Sequence, residues 1–158
     1  QLAVASMEES FMDVVKFVDS HYKTIPRREG RAVCGLSMGG GHTFGIGRLY
    51  PTVFDYYGLF SAGLQFNGLR DIQSNVSFYD RLKANAQARQ QLKTLFDSKP
   101  KLYWIAIGKT DFLYQNNADL RRYLDEQGYK YEYVETDGGH IWRNWRIYLT
   151  DFAQKLFR

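Results

Sequence analysis

The sequence contains one cysteine, Cys34, and only three prolines in 158 residues. A lone cysteine closes no internal disulfide, and no CxxC or His/Cys cluster has zinc-site spacing, so neither a disulfide scaffold nor a metal centre is expected. Apolar runs are short. None approaches the ~18 residues that suggest a bilayer-spanning helix, and the opening QLAVASMEES lacks the basic start and apolar block of a secretory leader. Because the sequence does not begin with Met, that missing leader does not bear on secretion. Charge of one sign is scarce as well. Against 17 acidic side chains stand 21 basic ones, a balance of +4. Opposite signs mingle, as in Arg70-Asp71 and in Arg121-Arg122 near Asp125-Glu126. No basic stripe forms, so a nucleic-acid partner is not expected, nor is a membrane.

Aromatic residues, by contrast, are plentiful at 16%, within a composition 44% hydrophobic and 24% charged that excludes disorder, collagen and coiled coil. The length suits one domain, or part of one, that buries on the order of 70% of the surface an unfolded chain exposes.

Periodicity then divides the chain. Met7, Phe11, Val14, Val15, Val18 and Tyr22 recur at steps of three and four, an amphipathic helix opened by a Ser6/Glu9 capping box and closed before Pro26. Arg31–Leu36 reads as a buried strand, followed by a helix over Met38–Leu49. Three more strands are predicted at Phe54–Phe60, Lys101–Ile107 and Tyr129–Glu135, with helices at Ala84–Phe96, Asn117–Gln127 and Trp142–Phe157. Alternation of this kind implies an α/β fold, a mainly parallel sheet with helices on both faces. Ser61–Phe78 has neither period and is predicted to be a long functional loop.

Gly35-Leu36-Ser37-Met38-Gly39 matches GxSxG between a predicted strand and a predicted helix. In that context the serine occupies a sharp, strained turn that lifts its hydroxyl clear of the sheet, and the flanking glycines avoid collisions with neighbouring backbone. A serine hydroxyl is a poor nucleophile without a base, and the base needs a carboxylate to orient it. His140, after the last strand and two glycines, and Asp111, after the preceding strand, meet those needs. The chain order Ser, Asp, His is that of α/β-hydrolases. Of the other candidates, His21 and His42 read as helix residues, Asp55 falls at the wrong end of its strand, and Asp137 sits where a turn-maker is expected.

The Met38 amide is the expected first oxyanion donor; the second normally comes from a loop after an earlier strand, which this sequence does not contain. With four strands counted from the nucleophile strand onward, the chain is expected to be the carboxyl half of an α/β-hydrolase domain, residues 1–158 forming one unit that is incomplete on its N-terminal side. Left unpaired, the nucleophile strand is an exposed apolar edge awaiting the missing half or a pairing chain.

The run Arg31-Ala32-Val33-Cys34-Gly35-Leu36-Ser37-Met38-Gly39-Gly40-Gly41, together with Gly138-Gly139-His140, Trp142 and Trp145, resembles the putative-esterase (esterase D-like) family of α/β-hydrolases. The similarity is greatest to bacterial feruloyl esterase and acetyl xylan esterase modules. It implies a cofactor-free serine esterase acting on hydroxycinnamoyl or acetyl esters of plant polysaccharide, secreted or periplasmic, with Ser37, Asp111 and His140 as its triad. The same family includes thioester and siderophore esterases. A non-catalytic carbohydrate-binding or assembly module on this scaffold is the third reading. Leu36, Trp142 and Trp145 are candidate substrate contacts, although a spacing of three on a helix equally buries two aromatics against a sheet. Phe60, Leu64, Phe66 and Phe78 read either as an acyl pocket or as a satellite core.

Overall fold

The computed structural model describes residues 7–72 and 74–158. Helix α1 (Phe11–His21) leads through a 3-10 turn at Arg28–Gly30 into strand β1 (Ala32–Leu36), helix α2 (Met38–Leu49) and strand β2 (Tyr56–Phe60). Three helices follow: α3 (Leu69–Ile72), α4 (Phe78–Ala84) and α5 (Ala86–Asp97). Strand β3 (Leu102–Gly108), helix α6 (Tyr114–Gln127), strand β4 (Glu132–Thr136) and helix α7 (Trp142–Ala153) complete the chain. The strands form one sheet in the order β1-β2-β3-β4, every neighbouring pair parallel.

Side chains alternate across the sheet and so build two cores. Tyr57, Leu59, Tyr103 and Ile105 face one way and pack with Phe44, Leu92, Leu95, Leu120 and Leu124 of α2, α5 and α6. Tyr56, Phe60, Leu102, Trp104 and Ala106 face the other way, where Tyr148 and Phe152 of α7 cover them. One face thus carries several helices and the other carries α7.

Most predicted elements are present, with shifted ends that have local causes. The helix predicted at Ala84–Phe96 is α5, which starts at Ala86 because the Asn85 side chain accepts the Ala88 amide as its cap; the unpredicted α4 ends just before it, at Ala84. The last strand starts at Glu132 instead of Tyr129: Gly128 closes α6 in the left-handed region (φ 70°), and Tyr129 is spent on the cap, its amide bonded to the Leu124 carbonyl and its ring stacked on Phe96. Phe54 and Asp55 precede β2. The Asp55 carboxylate accepts from Arg28 at 2.7 Å and from the Lys101 amide at 3.3 Å, a structural tie at the foot of the sheet. The long predicted loop contains the short α3. The predicted capping box involves Ser6, outside the described residues.

Strand β1 lies at the sheet edge, as the strand count predicts, and so is not buried on both faces as its apolar run suggests: Cys34 and Leu36 are exposed. Every residue of the interior strand β3 is buried.

Candidate active site

All three sequence-predicted catalytic residues follow carboxyl ends of parallel strands: Ser37 after β1, Asp111 after β3 and His140 after β4. Ser37 has φ 54° and ψ −117°, a conformation that costs a non-glycine residue on the order of 1–3 kcal/mol and persists only where surroundings enforce it. The enforcing contacts are visible. The Ser37 amide donates to the Phe60 carbonyl (2.9 Å), and the Ser37 carbonyl accepts from Gly63 (2.8 Å) and Gly41 (3.2 Å).

The glycines around this turn have unequal reasons to be glycine. A Cβ on Gly35 would lie 2.2 Å from the Gly39 carbonyl oxygen, one on Gly40 would lie 2.7 Å from the Ala62 Cβ, and one on Gly41 would lie 2.2 Å from the Gly63 carbonyl oxygen. At Gly39 it would meet nothing within 4 Å. The expectation that both motif glycines avoid a collision therefore holds at Gly35 and is corrected at Gly39.

The His140 Nε2 lies 2.9 Å from the Ser37 Oγ, and its Nδ1 lies 2.9 Å from the Asp111 Oδ2. An ionised carboxylate only accepts, so Nδ1 carries the proton, and the Nε2 of the neutral ring accepts from the serine hydroxyl. The other Asp111 oxygen accepts the Leu113 amide at 2.9 Å, and the residue is 4% exposed. Asp137, by contrast, has a side chain 89% exposed that pairs with Lys109. His21 ends α1 and is stacked on Phe17, while His42 lies against Glu8 at 3.3 Å. Burial raises the Glu8 carboxyl, and the hydrogen bond from His42 opposes that shift.

The imidazole is flanked by two rings, Phe112 with its centroid at 4.8 Å and Trp145 at 4.9 Å. Trp145 also donates its indole N–H to the Ser61 Oγ at 3.1 Å, so it braces the site. Trp142 is 70% exposed and packs edge-on against Trp145. Leu36, Trp142 and Trp145 do meet, with Leu149, around an apolar groove of about 280 Å³ along β1, but Ser37 is absent from its lining. Ser37 opens instead on a cavity of about 360 Å³ whose lining includes Met38, Leu64, Gln65, Phe112 and Asn116. Of the residues read as an acyl pocket or a satellite core, Phe60, Leu64 and Phe78 are buried in the core and Phe66 packs against it, and Leu64 also reaches this cavity. Met38 opens α2, which leaves its amide among the helix's unpaired first donors. Among the described residues no group of three His, Cys, Asp or Glu is arranged to hold a metal, and no helix is long and apolar enough to cross a membrane.

Three asparagines that sequence reasoning passed over hold these loops. Asn144, buried in the first turn of α7, donates to the Asp137 and Gly139 carbonyls, both at 3.0 Å, and so clamps the His140 loop. Asn116 accepts from the Leu64 amide and donates to its carbonyl, and Asn117 donates to the Ala62 carbonyl. The signal was a polar residue with weak helix propensity in the opening turn of a helix directly after a candidate catalytic loop.

The profile of the family described as "Putative esterase" matches residues 12–156. The chain belongs to that family. A curated relative, an acetyl esterase of Caldicellulosiruptor saccharolyticus, is 27% identical over 157 residues, covering 88% of this chain and 59% of its own length. Among solved structures, an S-formylglutathione hydrolase of Staphylococcus aureus superposes with a TM-score of 0.74 at 22% identity, over 98% of this chain and 62% of that one. A ferulic acid esterase of Anaeromyces mucronatus does so at 0.74 and 20% identity, over 96% and 53%. Likenesses this distant carry the fold, the four-stranded parallel part of an α/β-hydrolase. The chain spans about three-fifths of the curated relative's length.

Proposed function

We propose that the protein is a serine carboxylic-ester hydrolase working through an acyl-enzyme. The observation that carries this reading is the continuous hydrogen-bond line from the Ser37 Oγ through His140 to Asp111. As the Ser37 oxygen bonds to the ester carbonyl carbon, His140 takes the hydroxyl proton, and Asp111 stabilises the imidazolium and holds its tautomer. The proton passes from Nε2 to the departing alcohol as the C–O bond breaks. Water, deprotonated by the same nitrogen, then attacks the acyl-serine and releases the acid. The Met38 amide stabilises the oxyanion at the N-terminus of α2. A second donor is proposed to come from the half of the domain that precedes β1 or from a pairing chain seated on that strand's outer edge; one such donor is worth about 3 kcal/mol.

For the substrate we favour hydroxycinnamoyl or acetyl esters of plant cell-wall polysaccharide, with the acid released by a secreted or periplasmic enzyme, since a polymer of that kind meets its enzyme outside the cytoplasm. Support comes from the acetyl esterase and ferulic acid esterase relatives and from a cavity beside Ser37 large enough for a small aryl acid, within the ~300–1,000 Å³ of small-molecule sites. The S-formylglutathione hydrolase likeness, equal in TM-score, favours a thioester as the second reading.

The test is labelling of the full-length protein with a fluorophosphonate probe, followed by turnover of methyl ferulate, an aryl acetate and a small thioester. Labelling of Ser37 that Ser37→Ala abolishes is expected, with turnover of one of the first two esters. Turnover of the thioester alone moves the assignment to the second reading. Absence of labelling in a folded protein leaves a non-catalytic binding or assembly module.

A further inference from the structure

The cavity that Ser37 opens on has a cation in its lining. Beside the apolar Leu64, Phe112 and Leu113 stands Arg81 of α4. The Arg81 Nη1 donates to the Asp71 backbone carbonyl at 2.7 Å, the one hydrogen bond of the side chain among the described residues, and the guanidinium lies 5.9 Å from the centroid of the Phe78 ring. Its buried Nε–H has no acceptor. The single carboxylate in the lining, Asp71, does not compensate it. Asp71 is committed to the loop that walls the cavity: Oδ2 accepts the amides of Phe66 and Asn67, and Oδ1 faces the Asn67 side-chain amide. Thus a guanidinium with spare donors and the nucleophile line one mainly apolar cavity, to which Gln65 and Asn116 also contribute.

A planar fork of donors beside apolar walls discriminates between acyl groups in one direction. An acyl group with an oxygen at the end remote from its ester offers the guanidinium an acceptor, and a hydrogen bond to a charged donor contributes ~1.5–3 kcal/mol. An acyl group ending in hydrogen gains nothing there and leaves the donors with their water displaced. Resting on the ester-hydrolase reading above, we propose that Arg81 is a specificity-determining residue that selects acyl groups carrying an oxygen acceptor at their far end, as a para-oxygenated aryl acid does. Arg81 is kept in place by its bond to the Asp71 carbonyl, and Asp71 in turn shapes the Phe66–Asn67 turn, so the selecting group and the cavity wall are built as one piece.

The experiment compares kcat/KM for methyl 4-hydroxycinnamate and methyl cinnamate on the full-length protein. A ratio of about 10 or more in favour of the hydroxylated ester is expected, falling toward one in Arg81→Met and keeping an intermediate value in Arg81→Lys, which retains a charged donor but not the fork. Methyl 4-carboxycinnamate distinguishes a preference for any oxygen acceptor from one for an anion, since only the latter ranks it far above the phenol. A wild-type ratio near one overturns the proposal without any variant having to fold, and so does an unchanged ratio in folded Arg81→Met. Failure of both esters together with absence of fluorophosphonate labelling removes the hydrolase reading and this inference with it, whereas labelling and turnover without discrimination remove the inference alone.

Discussion

On the His140 side of Ser37 the candidate catalytic groups find their partners within the chain. Both Asp111 oxygens are used, the imidazole lies between two aromatic rings, and Asn144 ties down the loop that delivers it. On the β1 side the strand's outer edge is unpaired among the described residues, and Leu36, Trp142 and Leu149 border an open apolar groove. The difference teaches where precision is locally encoded. Proton transfer needs three groups within hydrogen-bond reach, and here the loops at the carboxyl ends of β1, β3 and β4 bring such a set together. Oxyanion stabilisation needs donors converging from two directions, of which the first turn of α2 is proposed to supply one. The base side is therefore expected to be sensitive to single polar changes, and the open side to respond mainly in solubility and association.

The largest predicted effect lies on the closed side. Asp111→Asn keeps the volume but hands Nδ1 a side chain that can donate, which favours the wrong imidazole tautomer. A loss in kcat of about 10⁴-fold is expected, measured on whichever ester the full-length protein turns over. Asn144→Ala touches no reacting atom. It frees two carbonyls of the His140 loop, and a displacement of ~1 Å is worth about 10²-fold, so kcat is expected to fall by roughly that much with KM little changed. Equal, small losses in both variants would remove the contrast between the two sides.

The next effect is one of stability and sorts the motif glycines. Gly35→Ala drives a methyl into the Gly39 carbonyl, backbone that cannot swing away, and overpacking of that kind costs about 1–3 kcal/mol. Gly39→Ala meets open space and is expected within ~0.5 kcal/mol of the parent. Thermal melts separate them, since 1 kcal/mol shifts Tm by about 2–4 °C in a chain of this size.

This glycine pair also shows what was legible in advance. The α/β alternation, the strand-turn-helix around Ser37 and the candidates Asp111 and His140 are readable because each depends on local pattern: period, turn chemistry and position after a strand. Which glycine is sterically required is not, because the colliding atom belongs to a turn that must first be folded. The exposure of β1 is not readable from AVCGL alone, since a five-residue apolar run looks the same at an edge as in the middle of a sheet; it follows from the strand count, which offers no earlier strand to pair with it. Asn116 and Asn144 leave only a weak mark, a polar residue in a helix's opening turn, because their partners are backbone groups of loops whose positions the sequence pattern does not carry.

The smallest effect lies on the open side, at Trp142, and contrasts with Trp145, its neighbour on the His140 side. Trp145 contacts His140 and donates to Ser61, so Trp145→Phe removes the N–H and leaves the buried Ser61 Oγ without its indole donor, for which a loss of ~1–3 kcal/mol in stability is expected, together with reduced kcat as the imidazole loses part of its brace. Trp142 makes its ring contact with Trp145 and is otherwise largely solvated. Trp142→Ala is therefore expected to change kcat by less than about threefold and stability by less than ~0.5 kcal/mol. Because an exposed indole on an unpaired apolar edge promotes association, the same variant is expected to lower self-association of the 158-residue chain, read by light scattering against concentration. A Trp142→Ala variant that raises KM for a polysaccharide ester while leaving that for a small methyl ester unchanged would move Trp142 from edge packing to substrate contact and make the open groove part of the site.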